Sequence, residues 1–321
     1  MSARPASRRQ GGVALITVLL IIAILTAVVT RLAFSNQMWI RQVENNTGQT
    51  QASLGLRAAQ QWVGLLLEKD NNGFDAVTDI WGQQLPPVPL DGGTLHGWME
   101  DMQARFNLNN LVNADGKVNN QALVTFTRLL RILDLNPGIA QAVVDWIDPD
   151  STQTGAWGAE DYYYNQLQPS YNCANQPFAS AEELRLVRGV NDEAWRRLQA
   201  QVTALPRYTD ININTASPEV LAALVREWGP PVSALGHARS WAAAARTRPA
   251  STIAEFTQRA LTGEQQPQLE SAGVKSDFFR AHMRLEYREF EQQMATLFYR
   301  AGNGYTYVLG QYQEFDSHVP R

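Results

Sequence analysis

The chain has 321 residues, of which 45% are hydrophobic and 18% charged, and its formal net charge at pH 7 is −4. This length exceeds one typical domain, and the apolar content excludes wholesale disorder. The acidic balance argues against a nucleic-acid partner, which needs a concentrated basic face, and the single cysteine, Cys173, excludes an intramolecular disulfide.

The N-terminal segment has the pattern of a membrane anchor. Residues 1–12 are polar and carry three arginines, whereas residues 13–30 contain no charged side chain. An uncharged run of this length meets the lower bound for a helix that crosses the hydrocarbon core. The arginines before the run place the N-terminus in the cytoplasm by the positive-inside rule, so the body is predicted to lie outside.

Three kinds of N-terminal segment compete here. A cleaved signal peptide has a shorter apolar region that ends in a small-x-small site, and residues 32–36 match such a site poorly. A simple signal anchor is the second alternative. The third is a prepilin leader, in which basic residues and a glycine directly precede the apolar helix.

The apolar run continues into a second helical segment. Residues 31–69 contain no proline, and apolar side chains recur at helical spacing after residue 53. Residues 70–73, which read Asp-Asn-Asn-Gly, supply a stop signal. The sequence therefore predicts one helix over residues 13–69, about 85 Å long, with one half in lipid and the other half on a globular body. That is the shape of a pilin stalk.

The start of this helix resembles a known family. Residues 10–20, which read Gln-Gly-Gly-Val-Ala-Leu-Ile-Thr-Val-Leu-Leu, look like the start of the K-type minor pseudopilins of bacterial type II secretion. The resemblance implies that prepilin peptidase cleaves between Gly12 and Val13 and methylates the new amine of Val13. It also implies an inner-membrane location, direct contact with I-type and J-type minor pseudopilins, and contact with other pseudopilins and the inner-membrane secretion platform.

Thr17 occupies the fifth position of the expected mature chain, where most pilins place a glutamate. In major pilins that carboxylate neutralises the N-terminal amine of the neighbour ahead, because an unpaired charge in lipid is costly. A subunit without it gains nothing from a neighbour ahead, which suits the tip of a filament. The K type is similar in lacking this glutamate. We expect partner contacts at Thr17 and along the apolar face of the stalk.

Beyond the stalk, the pattern predicts an α+β fold in which a helical domain is inserted into a sheet. Residues 85–93 read as a loop and residues 94–106 as a strand, and the Arg-Phe-Asn-Leu-Asn sequence at residue 105 resembles the entry to the K-type helical domain. The predicted units are an antiparallel pseudopilin sheet at 70–105 and 276–321 and an inserted all-α domain at 106–275.

The insert is predicted to contain short helices joined by tight turns, as in helix-hairpin-helix units. One helix would begin with a capping box of Ser180 and Glu183, and another with Ser217 as N-cap and Pro218 in its first turn. The other predicted helices span 123–133, 139–147 and a stretch from 191 or 192 to 202. Strand patterns return after residue 275, with a hairpin turn at residues 301–304.

Helix-hairpin-helix units often bind DNA through the backbone of a Gly-x-Gly turn, so a pilus-associated DNA-uptake subunit is the alternative function. The candidate turns at residues 188–192 and 228–231 both lack the second glycine, and acidic residues offset the nearby arginines. The favoured use of these hairpins is therefore contact with other proteins.

One acidic constellation is typical of a ligand site, and it comprises Asp145, Asp148, Asp150, Glu160 and Asp161. Hard cations such as Ca²⁺ take six to eight oxygen ligands. Alternatively, Asp148 and Asp150 only shape a turn, and Glu160 and Asp161 cap the next helix. Residues 158–162 are similar to a Gly-Ala-Glu-Asp-Tyr segment of the K-type family, whose α-domain holds calcium. The resemblance implies a calcium site here, in which Asp145 is the weakest candidate ligand.

No residue set typical of catalysis appears. The four histidines lie far apart in sequence, and Cys173 has no histidine near it. A membrane-anchored envelope enzyme is therefore disfavoured. We expect a minor pseudopilin that initiates or caps the pseudopilus, the short filament that drives folded proteins across the outer membrane.

Overall fold

A computed structural model of the protein describes residues 11–70, 73–83, 86–90, 92–261, 269–288 and 290–313. The helices are α1 (Gly11–Lys69), α2 (Asn120–Ile132), α3 (Ile139–Ile147), α4 (Asp161–Tyr164), α5 (Asp192–Leu198), α6 (Pro218–Leu224), α7 (Pro231–Ala245) and α8 (Ile253–Ala260). The strands are β1 (Val88–Leu90), β2 (Gly93–Asp101), β3 (Phe106–Asn107), β4 (Val202–Thr203), β5 (Ile211–Asn212), β6 (Ala272–Gly273), β7 (Phe278–Tyr287), β8 (Phe290–Arg300) and β9 (Thr306–Gln313). Most of the predicted leader, residues 1–10, lies outside the described residues.

The stalk helix α1 is continuous and ends at Lys69, where the sequence predicted its end. Every residue from 12 to 47 is exposed. Beyond that point a buried stripe recurs every three or four residues, and it consists of Ala52, Leu56, Ala59, Val63 and Leu67. This stripe packs on the sheet and forms a core with β7 and β8. The helix is therefore an exposed rod in its first half and part of a folded body in its second half.

Glycines in α1 set how closely the helix approaches the sheet. A Cβ atom at Gly48 would lie 2.5 Å from the Phe290 ring, which is too close for a real contact. At Gly64 the nearest atom would be in the Phe298 ring, 3.8 Å away, which is an ordinary van der Waals distance. The close approach of helix and sheet therefore requires glycine at position 48 and not at position 64.

One antiparallel sheet carries the body, with its five strands in the order β1-β2-β7-β8-β9. β2 and β7 are direct neighbours, with Trp98 opposite His282. The segment between these two strands contains the helical domain, so the chain has the predicted α+β architecture. The predicted hairpin turn joins β8 to β9, and Gly304 adopts a φ of +85°, which favours glycine.

Two predictions about the strands were wrong. Residues 85–93 contain the short strand β1, in which Val88 is paired with Leu95. Its proline marks it as an edge strand, where a missing backbone donor is tolerated. The strand predicted over residues 94–106 ends at Asp101, because the Asp101 carboxylate accepts a hydrogen bond from the Gln103 amide at 2.8 Å and begins a 3₁₀ turn.

The inserted domain has its own apolar core, which the residues of α2, α3, α6 and α7 largely supply. Helix α3 spans the predicted residues, and α6 begins with Ser217 as its N-cap and Pro218 in its first turn, as predicted. Helix α2 begins at Asn120, three residues before the predicted start, because the Asn119 side chain accepts hydrogen bonds from the amides of its first turn.

Three predictions about this domain need correction. The capping box of Ser180 and Glu183 is present, but it opens a 3₁₀ helix over Ala181–Leu186. Helix α5 begins as predicted but ends at Leu198, and Val202 instead pairs with Phe106 in the parallel pair β3–β4. A second parallel pair joins β5 to β6. The insert is therefore predominantly helical but not all-α.

Candidate functional site

The predicted processing site lies in the first turn of α1. Val13 is 69% exposed, and among the described residues no atom outside the local helix lies within 4 Å of a Cβ built on Gly12. The Thr17 hydroxyl donates to the carbonyls of Val13 and Ala14, both at 2.9 Å. The hydroxyl proton is thus used within its own helix, and the predicted partner contact at Thr17 stays a prediction. In the part of the chain that the structure describes, α1 is the one helix whose length and apolar composition suit a membrane span.

Three of the predicted ligand residues come together at the end of α3 and the start of α4. One carboxylate oxygen from each of Asp148, Asp150 and Glu160 lies within 4.8 Å of the others. Asp148 and Glu160 are buried, with exposed fractions of 3% and 8%, while Asp150 is exposed. The fold therefore closes the acidic loop so that Glu160 lies close to Asp148 and Asp150, which precede it by ten or more positions.

The buried carboxylates of this trio lack hydrogen-bond donors. Asp148 Oδ1 and both carboxylate oxygens of Glu160 have no hydrogen-bond partner among the described residues. Burial, followed by repulsion from Asp150 and Asp145, raises the pKa of Asp148 to about 6. Burial and the neighbouring carboxylates also raise the pKa of Glu160 to about 7. Buried, unpaired anions are costly unless they protonate or bind a cation, so these oxygens fit a hard divalent ion.

The other two predicted ligands lie beside the trio. Asp145 is fully buried; its Oδ1 accepts from the Thr154 amide at 2.9 Å, and its Oδ2 has no hydrogen-bond partner within the described ranges. Burial raises the pKa of Asp145 as well. Asp161 instead holds a neighbouring loop, because its Oδ1 accepts from the Cys173 amide at 2.8 Å. Asp145 therefore has one oxygen without a hydrogen-bond partner, but it is not one of the three residues whose oxygens lie within 4.8 Å of one another.

An arginine that the sequence did not single out holds the acidic loop in place. The Arg188 guanidinium lies between two aromatic rings, 5.0 Å from the centroid of Trp157 and 4.8 Å from that of Tyr163. Its Nη1 also donates to the carbonyl of Gly158 at 3.0 Å. Arginines stacked on aromatic rings contribute to stability through cation–π attraction and through their fixed planar geometry. A sequence signal existed only in the aromatic residues that surround the acidic run.

Cys173 lies against the same loop as a buried thiol. Its Sγ donates to the carbonyl of Asp145 at 3.1 Å, and burial raises the pKa of the thiol to about 12. A thiol with such a pKa is a poor nucleophile at neutral pH. Cys173 thus has a packing role beside the acidic cluster.

A second acidic group lies where the stalk joins the sheet. One oxygen from each of Asp70, Asp75 and Asp79 lies within 4.8 Å of the others. Arg300 enters this group: its Nη2 donates to Asp75 at 2.5 Å, and its Nη1 lies 3.4 Å from Asp70 Oδ2. The guanidinium supplies the positive charge that these carboxylates need. We interpret this group as a buried ionic junction between the end of α1 and the end of β8.

The inserted domain is joined to the same junction by a buried amide. Asn212 Nδ2 donates to the backbone carbonyl of Asp75, to Asp101 Oδ2 and to Ser276 Oγ, at 3.0 to 3.1 Å. Asn212 has no exposed surface, and Asp101 is 5% exposed. The helical domain, the stalk exit and the last residue of β2 are thus connected through one side chain.

The hairpin between α6 and α7 faces the protein interior on one side. Arg128 donates from Nε to the Ala222 carbonyl at 2.8 Å and from Nη2 to the Gly229 carbonyl at 2.5 Å. The turn at residues 228–231, one of the two considered for DNA contact, is therefore held by a side chain of the domain itself.

Comparison with known proteins gives a consistent family. The models described as "Type II secretion system (T2SS), protein K" match residues 104–207 and 211–275. Type II secretion system protein K of Pseudomonas aeruginosa is 36% identical over 230 residues, which cover 68% of each chain. The protein of the same name from Aeromonas hydrophila is 35% identical over 239 residues, with 69% of this chain and 72% of the relative covered. That of Klebsiella pneumoniae is 29% identical and covers 95% of this chain and 97% of the relative.

A solved structure has the same fold. It is the crystal structure of the GspK-GspI-GspJ complex from the type 2 secretion system of enterotoxigenic Escherichia coli. The matched chain is 23% identical, with a TM-score of 0.69, and the match covers 86% of this chain and 100% of that one. At this identity the likeness shows the fold, including the sheet with an inserted helical domain.

Proposed function

This chain is a minor pseudopilin of the type II secretion system protein K family, and on that basis we propose that it occupies the tip of the pseudopilus. There it initiates or caps assembly of the filament that exports folded proteins across the outer membrane. The inserted domain supports this position, since a body enlarged between β2 and β7 fits the end of a tightly wound filament better than its middle.

The observation that carries the tip position is Thr17. A glutamate at this position would pair with the N-terminal amine of the subunit ahead. The Thr17 hydroxyl instead donates to the carbonyls of Val13 and Ala14 in its own helix. A subunit that needs no ion pair with a neighbour ahead can be first in the filament. A Thr17→Glu variant tests this idea: we expect fewer pseudopili in cells, because the added carboxylate is left unpaired at the tip. Unchanged assembly would oppose the proposal.

The membrane arrangement follows from the stalk. We propose that prepilin peptidase cleaves between Gly12 and Val13 and methylates Val13, and that residues 13–30 then anchor the chain in the inner membrane. The arginines of the leader support an orientation with the N-terminus in the cytoplasm and the body in the periplasm.

The proposed direct partners are the I-type and J-type minor pseudopilins, with other pseudopilins and the inner-membrane platform as further contacts. Support comes from the matched crystal structure, in which the related chain is in complex with GspI and GspJ, and from the exposed stretch of α1 over residues 12–47. Mixing the purified bodies of the three proteins tests the proposal. A ternary complex should elute ahead of each component on gel filtration, and separate elution would contradict it.

We also propose that the acidic trio binds one calcium ion through Asp148, Asp150 and Glu160, with Asp145 as an additional oxygen donor. When bound, the ion would supply the positive charge that the unpartnered oxygens of Asp148 and Glu160 lack. The loop between α3 and α4 has little apolar surface of its own, so an ion would fix it to the domain core. Asp161 is left to position the Cys173 loop.

A further inference from the structure

The stalk between the apolar run and the body is exposed and unusually rich in apolar side chains. Phe34, Met38 and Trp39 are 68%, 57% and 67% exposed. Contact between apolar side chains and water is unfavourable, so this segment requires an environment that covers them. The candidate environments are the membrane surface and the stalks of other subunits.

The distribution of these side chains around the helix favours lipid. At 100° per residue, Leu32 and Trp39 lie about 20° apart, whereas Met38 lies about 120° and Phe34 about 160° around the helix from Leu32. A seam between two helices needs one apolar stripe, while a helix surrounded by acyl chains and headgroups needs apolar residues all round. The segment shows the second pattern.

The position along the helix agrees with the interface between water and the outer face of the inner membrane. Trp39 lies 26 residues beyond Val13, or about 39 Å along the axis and about 37 Å along the bilayer normal at a typical tilt of about 20°. The hydrocarbon core is about 30 Å thick, and the headgroups extend the bilayer to about 40–45 Å. If Val13 lies at the inner edge of the core, Phe34 lies at its outer edge and Trp39 among the headgroups, where tryptophan is enriched.

The charged residues in and after this segment agree with the same placement. Arg31 and Arg41 flank the segment, and the first acidic residue of the whole chain is Glu44. Arg31 lies at the depth from which an arginine can extend its guanidinium to the headgroups. An anionic lipid surface would therefore attract residues 31–41 and meet no carboxylate before residue 44.

We infer that residues 31–41 cross the outer interface of the inner membrane, from the edge of the hydrocarbon core through the headgroup layer, with Trp39 as the side chain that fixes the depth of the stalk. The inference rests on the proposed membrane anchor. It extends the lipid-contacting part of the stalk about ten residues beyond the apolar run and leaves residues 42–47 as the exposed link to the body.

A depth measurement with nitroxide spin labels tests this inference. The labels are placed through Trp39→Cys, through Trp62→Cys as an exposed control on the body half of the same helix, and through Leu25→Cys as a control within the apolar run. The full chain is reconstituted in vesicles of phosphatidylethanolamine and phosphatidylglycerol, and collisions with oxygen and with a water-soluble nickel complex are measured. Cys173 is buried, and its raised pKa keeps it from taking up label, which the unsubstituted chain verifies.

We expect the label at 25 to have the depth of the hydrocarbon, the label at 62 to collide freely with nickel, and the label at 39 to lie between them at headgroup depth. Nickel accessibility at 39 equal to that at 62, with 25 still deep, would overturn the inference while leaving the anchor intact. A label at 39 shielded from both reagents would also overturn it, because it would show burial against protein. Nickel access at 25 would overturn the anchor itself, and this inference with it.

Discussion

Replacing Asp148 by asparagine should stabilise the protein without calcium and reduce the stabilisation that calcium gives. Asp148 is 3% exposed, its Oδ1 has no hydrogen-bond partner among the described residues, and its pKa is raised from 3.8 to about 6. One pKa unit corresponds to about 1.4 kcal/mol, so the ionised carboxylate costs the ion-free fold about 3 kcal/mol at pH 8. Asparagine removes this cost but still buries an amide without full hydrogen bonding. We therefore expect a net gain of about 1–2 kcal/mol in EDTA.

With calcium this gain is largely offset. Wild-type protein gains about 2.7 kcal/mol at a calcium concentration 100 times the Kd. Loss of one carboxylate ligand should weaken binding by about tenfold or more, which removes about 1.4 kcal/mol or more of that gain. Asp148→Asn should therefore raise the Tm in EDTA and lower the calcium-dependent rise in Tm.

The pH dependence follows from the same raised pKa values. The folded pKa values of Asp148 and Glu160, about 6 and about 7, exceed their unfolded values of 3.8 and 4.5. The folded state therefore binds protons more readily, and in EDTA the stability should rise as the pH falls from 8 towards 5. Calcium should flatten this dependence, because it replaces the protons.

Thermal unfolding of the full chain in detergent, followed by tryptophan fluorescence, measures both effects. Glu182→Gln, at an exposed carboxylate of the same domain, is the matched control and should shift the Tm little in either condition. The reasoning would be refuted if Asp148→Asn changed the Tm equally in EDTA and calcium, or if the wild-type Tm in EDTA did not change between pH 5 and pH 8.

Three further outcomes are expected, two of them in the same unfolding assay and the third in a calcium titration. Gly64→Ala should stabilise α1 by up to about 1 kcal/mol, whereas Gly48→Ala should destabilise the protein by about 1–2 kcal/mol because its Cβ meets the Phe290 ring; equal shifts would contradict the close-approach argument. Arg300→Met should cost about 3–5 kcal/mol, since it leaves buried carboxylates without their cation; a loss below about 1 kcal/mol would show that the junction is not essential. Arg188→Lys should lower calcium affinity several-fold in a titration, and unchanged affinity would separate the stacked arginine from the site.

Local signals in the sequence predicted much of the fold. The stop after Lys69, the N-cap at Ser217 and the hairpin turn at Gly304 each depend on residues within a few positions of one another. Such signals act through backbone conformation and nearby hydrogen bonds, so they can be identified without the tertiary structure.

Two of the errors come from strand pairing, in one case between distant segments. Val202 has a helical neighbourhood in sequence, yet it joins Phe106 in a parallel pair, and α5 ends before it. Pro89 lies in a run that reads as a loop, and only pairing with β2 makes it part of a strand. The pairing of Val202 with Phe106, 96 positions away, has no local sequence signal.

The acidic site was predicted in composition but not in detail. The run of carboxylates identified the loop, whereas the closeness of Asp148 to Glu160 and the available oxygen of Asp145 depend on how α3 and α4 pack. Arg300 gave no sequence signal and Arg188 only the indirect one of the aromatic residues near the acidic run, because each acts on residues far from it along the chain. Long-range ionic and stacking contacts are therefore what the sequence could not supply.

The N-terminus of the mature protein tests the central claim most directly. The chain should be expressed in full in a bacterium that carries prepilin peptidase, isolated from the membrane fraction and analysed by intact-mass and terminal-peptide mass spectrometry. We expect the first residue to be Val13, with one added methyl group on its amine and residues 1–12 removed. A mature chain that begins at any other residue, or one recovered without residues 13–30, would contradict a processed pseudopilin stalk.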